Sequence, residues 1–287
     1  MDLVTVGDVM VDVSVEATAL AEGGDVHGRV SVRPGGSAAN AAVWGAATRA
    51  SVRLHGRVGD DLSGRLLQES IAEHGVETVL AVDAQARTGS LLVVHSAGER
   101  SMVADRGANA RLSPADLPAE IEATAVLVSG YLLLDEGSLP AAMAALKRAK
   151  ARYVAVDAAS WPLLREFGTT RFFAATESAS VLLVNELEAE VLCGRRGEDA
   201  AETLAQRYQV VCVKRGPRGA TMSWEGLLIR YEGEPVVEAD PTGAGDAFDG
   251  VFLASLATGA SPGEALRVAC AAGARVAAGP DLWPTAG

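Results

Sequence analysis

The chain has 287 residues, of which 49% are hydrophobic, 22% charged and only 5% aromatic. That is room for one large α/β domain or two small ones, with a core that Ala, Val and Leu must build. A net charge of −12 argues against nucleic acid or an anionic membrane surface as the main partner, while leaving room for a local positive pocket that holds a phosphate. The three cysteines, Cys193, Cys212 and Cys270, have no C-x-x-C spacing, so neither a disulfide framework nor a zinc site is expected, and a reducing cytoplasm fits. The opening Leu3-Val-Thr-Val6 reads as a strand rather than a leader, so no signal peptide is expected. No stretch has the length of a charge-free membrane span.

Residues 2–9 predict a short buried strand, with Asp12 just beyond its end. Residues 12–33 alternate apolar and polar, as half-exposed strands do. Pro34-Gly-Gly-Ser-Ala-Ala-Asn40 is a glycine turn that runs into a helix of small residues. Residues 52–58 predict a strand and Gly59-Asp-Asp-Leu-Ser-Gly64 leads into an amphipathic helix through His74. Residues 88–104 alternate again, with a turn at Ala97-Gly-Glu99, and suggest exposed antiparallel sheet. From about residue 123 short apolar runs at 126–128, 154–156, 181–184 and 210–213 are separated by helical patterns at 136–150, 161–173 and 186–207. This alternation is the mark of βαβ units and a parallel sheet. Short strands near 219–223 and 227–231 follow, then an extended segment Pro235-Val-Val-Glu-Ala239 and two Ala-rich helices, 246–259 and 262–278. There is no internal repeat. The economical architecture is a single α/β domain over 1–287 with a small β appendage built from two separated segments.

Two glycine turns are candidates for chemistry, although taken singly each also reads as an ordinary turn beside a helix. In Asp240-Pro-Thr-Gly-Ala-Gly-Asp246 a Gly-X-Gly turn opens a buried helix, where backbone N–H groups and the helix dipole favour an anion. An acid beside a phosphate cradle is a poor binder and a sensible base for the hydroxyl that attacks the phosphate. The stretch is neither a dinucleotide fingerprint, since Phe248 stands where the third glycine belongs, nor a P-loop, since no lysine follows a glycine as G-K-[ST] requires. In the other turn, Gly35-Gly36 permits a close backbone approach, Asn40 can donate and accept as a polyol requires, and Asp12 can accept from hydroxyls.

Together, Gly35-Gly-Ser-Ala-Ala-Asn40 and Asp240-Pro-Thr-Gly-Ala-Gly-Asp246 resemble the two signatures of the PfkB family of carbohydrate kinases, which have the ribokinase-like fold. Further pieces fall in the family's order: Gly56-Arg-Val-Gly-Asp-Asp-Leu-Ser-Gly64, Thr88-Gly89, Asn185-Glu-Leu-Glu188 and Val213-Lys-Arg-Gly-Pro-Arg-Gly219. The resemblance implies a central, mainly parallel sheet flanked by helices on both faces, with a small β-sheet lid from about 12–33 and 86–106. It implies ATP-dependent phosphoryl transfer to a hydroxyl of a sugar or sugar acid, with Asp246 as general base and Gly243, Ala244 and Gly245 as anion hole. Asp12, Gly35, Gly36, Asn40 and Arg106 would hold the substrate. Lys214, Gly216, Gly219, Thr242, Gly243 and Gly245 would line the nucleotide site. Asn185 and Glu188 would position Mg2+ through water, although an N-cap and an early-turn acid explain both residues equally well. Asp240 and Thr242 resemble part of a K+ site whose second half would fall near Ala277–Asp281. A homodimer through the lid, a nucleoside kinase and a non-catalytic sugar or nucleotide sensor on the same scaffold remain open. His27, His55, His74 and His95 show no metal spacing and are expected at the surface or in lid packing. Trp44, Trp161, Trp224 and Trp283 are expected to pack.

Overall fold

The computed structural model describes residues 1–96, 99–233, 236–237, 240–279 and 282–284. Among these, nine strands form the central sheet, in the order Leu227–Tyr231, Ala220–Trp224, Val210–Lys214, Val181–Asn185, Tyr153–Asp157, Ala125–Val128, Leu3–Val6, Val52–Gly59 and Val76–Asp83. All neighbours pair in parallel except at one edge, where Ala220–Trp224 and Leu227–Tyr231 add as antiparallel strands.

The unbroken apolar runs follow from covering both faces of the sheet. Successive side chains of a strand point to opposite faces. Leu3, Leu127, Leu183 and Cys212 go to one core with the helices Ser37–Ala46, Ala244–Ala257 and Pro262–Ala278. Val4, Val126, Leu182 and Val211 go to the other, against Leu139–Arg148, Glu186–Cys193 and Gly197–Leu204. His55 belongs to this interior, contrary to the expectation of surface or lid packing. It is buried in the middle of Val52–Gly59, between its register partners Val6 and Val79 on the neighbouring strands.

Two predicted helices are interrupted. The pattern at 161–173 becomes Trp161–Phe167 and Thr169–Ala175, broken at Gly168, whose φ of 92° is outside the helical region. The pattern at 186–207 becomes two helices because Gly194 ends the first in the left-handed conformation at φ 69°.

A second sheet stands on the first, in the order Arg29–Gly35, Met10–Ala17, Gly89–Ser96, Glu99–Asp105. Asp12 lies beyond the end of the first strand, Leu3–Val6, and inside a strand of this second sheet. The outer pairs are antiparallel as expected, but the central pair, Met10–Ala17 with Gly89–Ser96, is parallel. The cause is the connectivity: each of these two strands follows a parallel strand of the central sheet, so both leave it in the same direction. The turn expected at Ala97-Gly-Glu99 lies outside the described residues at 97–98. So does much of the extended segment at 235–239, whose described residues, 236–237, carry no strand.

Candidate active site

The carboxyl ends of the parallel strands are where an α/β sheet gathers chemistry. Here they deliver Asp8 after Leu3–Val6, Ser129 after Ala125–Val128, and Asp157, Asn185 and Lys214 at the ends of their own strands. Asn185 and Lys214 are register partners on adjacent strands. Above this row two helices point their N-termini inward, and both begin at a glycine with positive φ.

Gly36, at φ 99°, caps Ser37–Ala46; a Cβ there would lie 2.4 Å from the Asp8 carbonyl oxygen. Gly243, at φ 78°, caps Ala244–Ala257; a Cβ would lie 2.2 Å from Leu282 Cδ1. The second helix starts two residues earlier than its apolar pattern suggests, which puts Asp246 in its first turn with the N–H groups of the Gly243–Gly245 region at its mouth. The helices pack closely because Gly250 has no side chain: a Cβ there would lie 2.0 Å from the Ala41 carbonyl oxygen. This contact brings Asn40 to Asp246, and Asn40 Nδ2 donates to Asp246 Oδ2 at 2.8 Å.

Asp246 is part-exposed towards the cleft yet surrounded by protein. Loss of hydration raises its pKa well above the usual carboxylate range; the Asn40 hydrogen bond opposes this, Asp157 and Asp249 add to it, and Lys214 opposes it. Lys214 carries the cationic charge of this group. Its Nζ reaches both oxygens of Asp249 at 2.9 Å and lies 3.5 Å from where a Cβ of Gly245 would sit. Burial would lower the Lys214 pKa, but Asp249, Glu188 and Asp157 raise it further, so the ammonium stays charged. Asp249 went unnoticed in the sequence because it reads as one polar position in an apolar helix. It sits one turn beyond Asp246 and is nearly inaccessible.

On the other side, Asp12 is buried with its carboxylate against Gly35, where a Cβ would lie 2.4 Å from Oδ2. Burial raises its pKa to about 6; Arg33 lowers it, and Asp240 raises it. Asp240 Oδ1 accepts from the Thr242 backbone N–H at 3.0 Å and from Thr242 Oγ1 at 2.6 Å. The Asp240 N–H donates to the Ala277 carbonyl at 3.2 Å, which brings those two segments together. The remainder of the Ala277–Asp281 segment reaches beyond the described residues at 280–281.

Other expected residues have protein partners of their own. Asn185 and Glu188 form a capping box: Asn185 Oδ1 accepts from the N–H groups of Leu187 and Glu188, and Glu188 accepts from the N–H and Nδ2 of Asn185. Glu188 is buried and its pKa rises to about 7, chiefly from burial. No cluster of three or more His, Cys, Asp or Glu suited to a metal occurs among the described residues. Arg106 is tied to Asp8 at 2.7 Å and Asp135 at 3.2 Å and donates to Ser138 Oγ. Gly219, at φ 78°, presses on the chain near Tyr231, while Gly216, at φ 57°, faces open space. Two tryptophans do more than pack, contrary to expectation. Trp44 Nε1 donates to the Leu282 carbonyl and Trp283 Nε1 to Asn40 Oδ1, because a part-buried indole N–H needs an acceptor. Asp8 could have been sought in the sequence as an acid just beyond the carboxyl end of an apolar run. The partner of Trp283, 243 residues distant, had no such signal.

The profile of the pfkB family carbohydrate kinases matches residues 1–280. A fructokinase from Klebsiella pneumoniae is 31% identical over 254 residues, covering 83% of this chain and 81% of that protein. The fold is shared with an adenosine kinase from Sinorhizobium meliloti, at a TM-score of 0.88 and 22% identity over 99% of this chain and 96% of that one. It is shared too with a putative Ribokinase II from E. coli, whose structure is a complex with ATP and Mg2+, at a TM-score of 0.85 and 24% identity over 96% and 92% of the two chains. With a match along almost its whole length, the ribokinase-like sheet and the glycine-capped helices in place, the chain belongs to the pfkB family of carbohydrate kinases and is a sugar-phosphorylating phosphotransferase.

Proposed function

We propose that the chain transfers the γ-phosphate of ATP to a hydroxyl of a small sugar or sugar acid, with Asp246 as general base. The observation that carries this is the Asn40–Asp246 hydrogen bond at the N-terminus of a helix opened by a left-handed glycine. It sets an acid where a hydroxyl and a phosphoryl group would meet. Asp246 takes the proton of the substrate hydroxyl, whose oxygen forms the new bond to γ-phosphorus as the bond to the β-phosphate oxygen breaks and ADP leaves. The N–H groups of Gly243 and Gly245 would face the charge that builds up on the transferred group, while that of Ala244 donates to the Pro241 carbonyl at 3.1 Å and would have to turn from it to join them. Lys214, held by Asp249, puts a fixed positive charge behind them.

Asp12, Gly35, Gly36 and Asn40 would line the sugar, with Arg106 bracing the wall through Asp8. The open face at Gly216, the turn at Gly219 and Thr242 would receive the nucleotide. The donor set of Asn185 and Glu188 suits Mg2+ held mostly by phosphates and water, because no group of three or more His, Cys, Asp or Glu among the described residues could cage the ion. When bound, the metal neutralises phosphate charge. Asp240 and Thr242 are the residues that would serve a K+ ion.

The second sheet would act as the lid that excludes water. Its outer face is apolar: Val32, Val13, Leu92 and Val103 share one register row across four strands, and Val30, Val15 and Val94 the next. Val32 is 59% and Val103 66% exposed, and a second copy of the chain would cover them. No helix among the described residues is long and apolar enough to cross a membrane, and we assign the enzyme to the cytoplasm, where ATP is at hand. The test is ADP release with pentoses, hexoses, keto-deoxy sugar acids and nucleosides as acceptors. Turnover with a sugar or sugar acid is expected. Turnover with nucleosides alone would make it a nucleoside kinase, and saturable binding without turnover would make it a sensor.

A further inference from the structure

Residues 282–284 lie against the two glycine-capped helices and are held from several sides. Trp44 Nε1, one turn beyond Asn40 on the same helix, donates to the Leu282 carbonyl at 2.9 Å. The Leu282 side chain fills the space beside Gly243 that a Cβ would need. His74 Nε2 lies 3.1 Å from the Pro284 carbonyl oxygen, and its ring packs edge-on against Trp283 with centroids 5.1 Å apart. Trp283 is thus fixed by its neighbours, and its indole Nε1 donates to Asn40 Oδ1 at 2.8 Å. The other end of the same amide donates to Asp246.

An indole nitrogen only donates. It therefore permits the Asn40 amide one orientation, with oxygen towards Trp283 and nitrogen towards Asp246. The reverse orientation would set two donors face to face at the indole and two acceptors face to face at the carboxylate. We propose that Trp283 is a positioning residue of the phosphotransfer site, whose indole N–H locks the Asn40 amide with its NH2 group towards the Asp246 carboxylate. This inference rests on the reading of Asp246 as the base.

The lock bears on whether the base is ionised. Burial drives Asp246 towards its protonated form, and the Asn40 hydrogen bond is the largest contribution against that. Asp157 and Asp249 face the same carboxylate and act with burial; Lys214 acts with Asn40; Tyr131 stands close enough to feel the same charge. An amide free to turn over would withdraw the donor and leave the acids unopposed but for Lys214. The lock also narrows what Asn40 offers a sugar. With one N–H and its oxygen engaged, it presents mainly a second N–H, a fixed donor rather than a group free to reverse its role.

The test is a pH titration by NMR of the full-length protein, with 13C-carboxyl aspartate and 15N-indole labels and signals assigned through D246N and W283F. In the wild type the Trp283 indole resonance is expected to move with the Asp246 carboxyl titration. In N40A that response is expected to vanish, and in W283F the Asp246 midpoint is expected to shift to higher pH. An indole signal that stays constant while Asp246 titrates would overturn the proposal even if W283F does not fold, and so would an unchanged midpoint in a folded W283F. Turnover surviving in D246N would overturn the base itself. An inactive D246N together with a wild-type indole signal that ignores the Asp246 titration would overturn the role of Trp283 alone.

Discussion

Asp12 is a carboxylate kept where folding alone would not put one. Its pKa is raised from 3.8 to about 6, largely by burial, so the folded protein binds its proton more tightly than the unfolded chain. The sign follows: the group costs stability fully above pH 6, and the cost fades as pH falls from 6 towards 3.8. The difference corresponds to about 3 kcal/mol at neutral pH. D12N should therefore raise the denaturant midpoint at pH 8 and change it little at pH 4, while weakening sugar binding, seen as a higher KM. A variant equally stable at both pH values would show that the Asp12 carboxylate is well solvated. The same physics marks what was legible. Asp246 and Asn40 announced themselves through glycine turns that only a close approach explains. Trp283 did not, because a hydrogen bond across 243 positions leaves no local pattern. Asn185 and Glu188 looked like both a capping box and metal-positioning groups, and the capping box is formed.

At the scale of elements, site geometry depends on how closely the helices Ser37–Ala46 and Ala244–Ala257 approach. Gly250 permits it, with its absent Cβ at 2.0 Å from the Ala41 oxygen. Gly250→Val forces the helices apart and should cost about 1–3 kcal/mol or more as overpacking. Denaturant unfolding would measure that, and the widened Asn40–Asp246 gap should lower kcat beyond the stability loss. Wild-type turnover in the folded variant would show that the close packing does not set the site. The apolar runs at 126–128, 154–156, 181–184 and 210–213 each mark a strand, since helices cover both faces of the sheet there. The helix breaks at Gly168 and Gly194 were less legible. A lone glycine in a helical pattern is usually tolerated, and only the positive φ, invisible in sequence, decides.

For the whole molecule, alternation at 12–33 and 88–104 foretold a second, half-exposed sheet but not its parallel centre, which depends on two core strands far apart in the chain. Its outer apolar rows predict that a second copy covers it. Sedimentation of the wild type at micromolar concentration should give a dimer, and the double variant V32D/V103D a folded monomer; a monomeric wild type would refute the lid interface. The central claim, that Asp246 is the base, meets its most direct test in D246N. A general base is worth roughly 10²–10⁴ in rate. In rapid-quench measurements of sugar-dependent phosphoryl transfer, the account predicts that folded D246N still binds ATP but turns over at least about a hundredfold more slowly. It also predicts that wild-type turnover falls as pH drops through the raised Asp246 pKa. Near-wild-type turnover in D246N would contradict it.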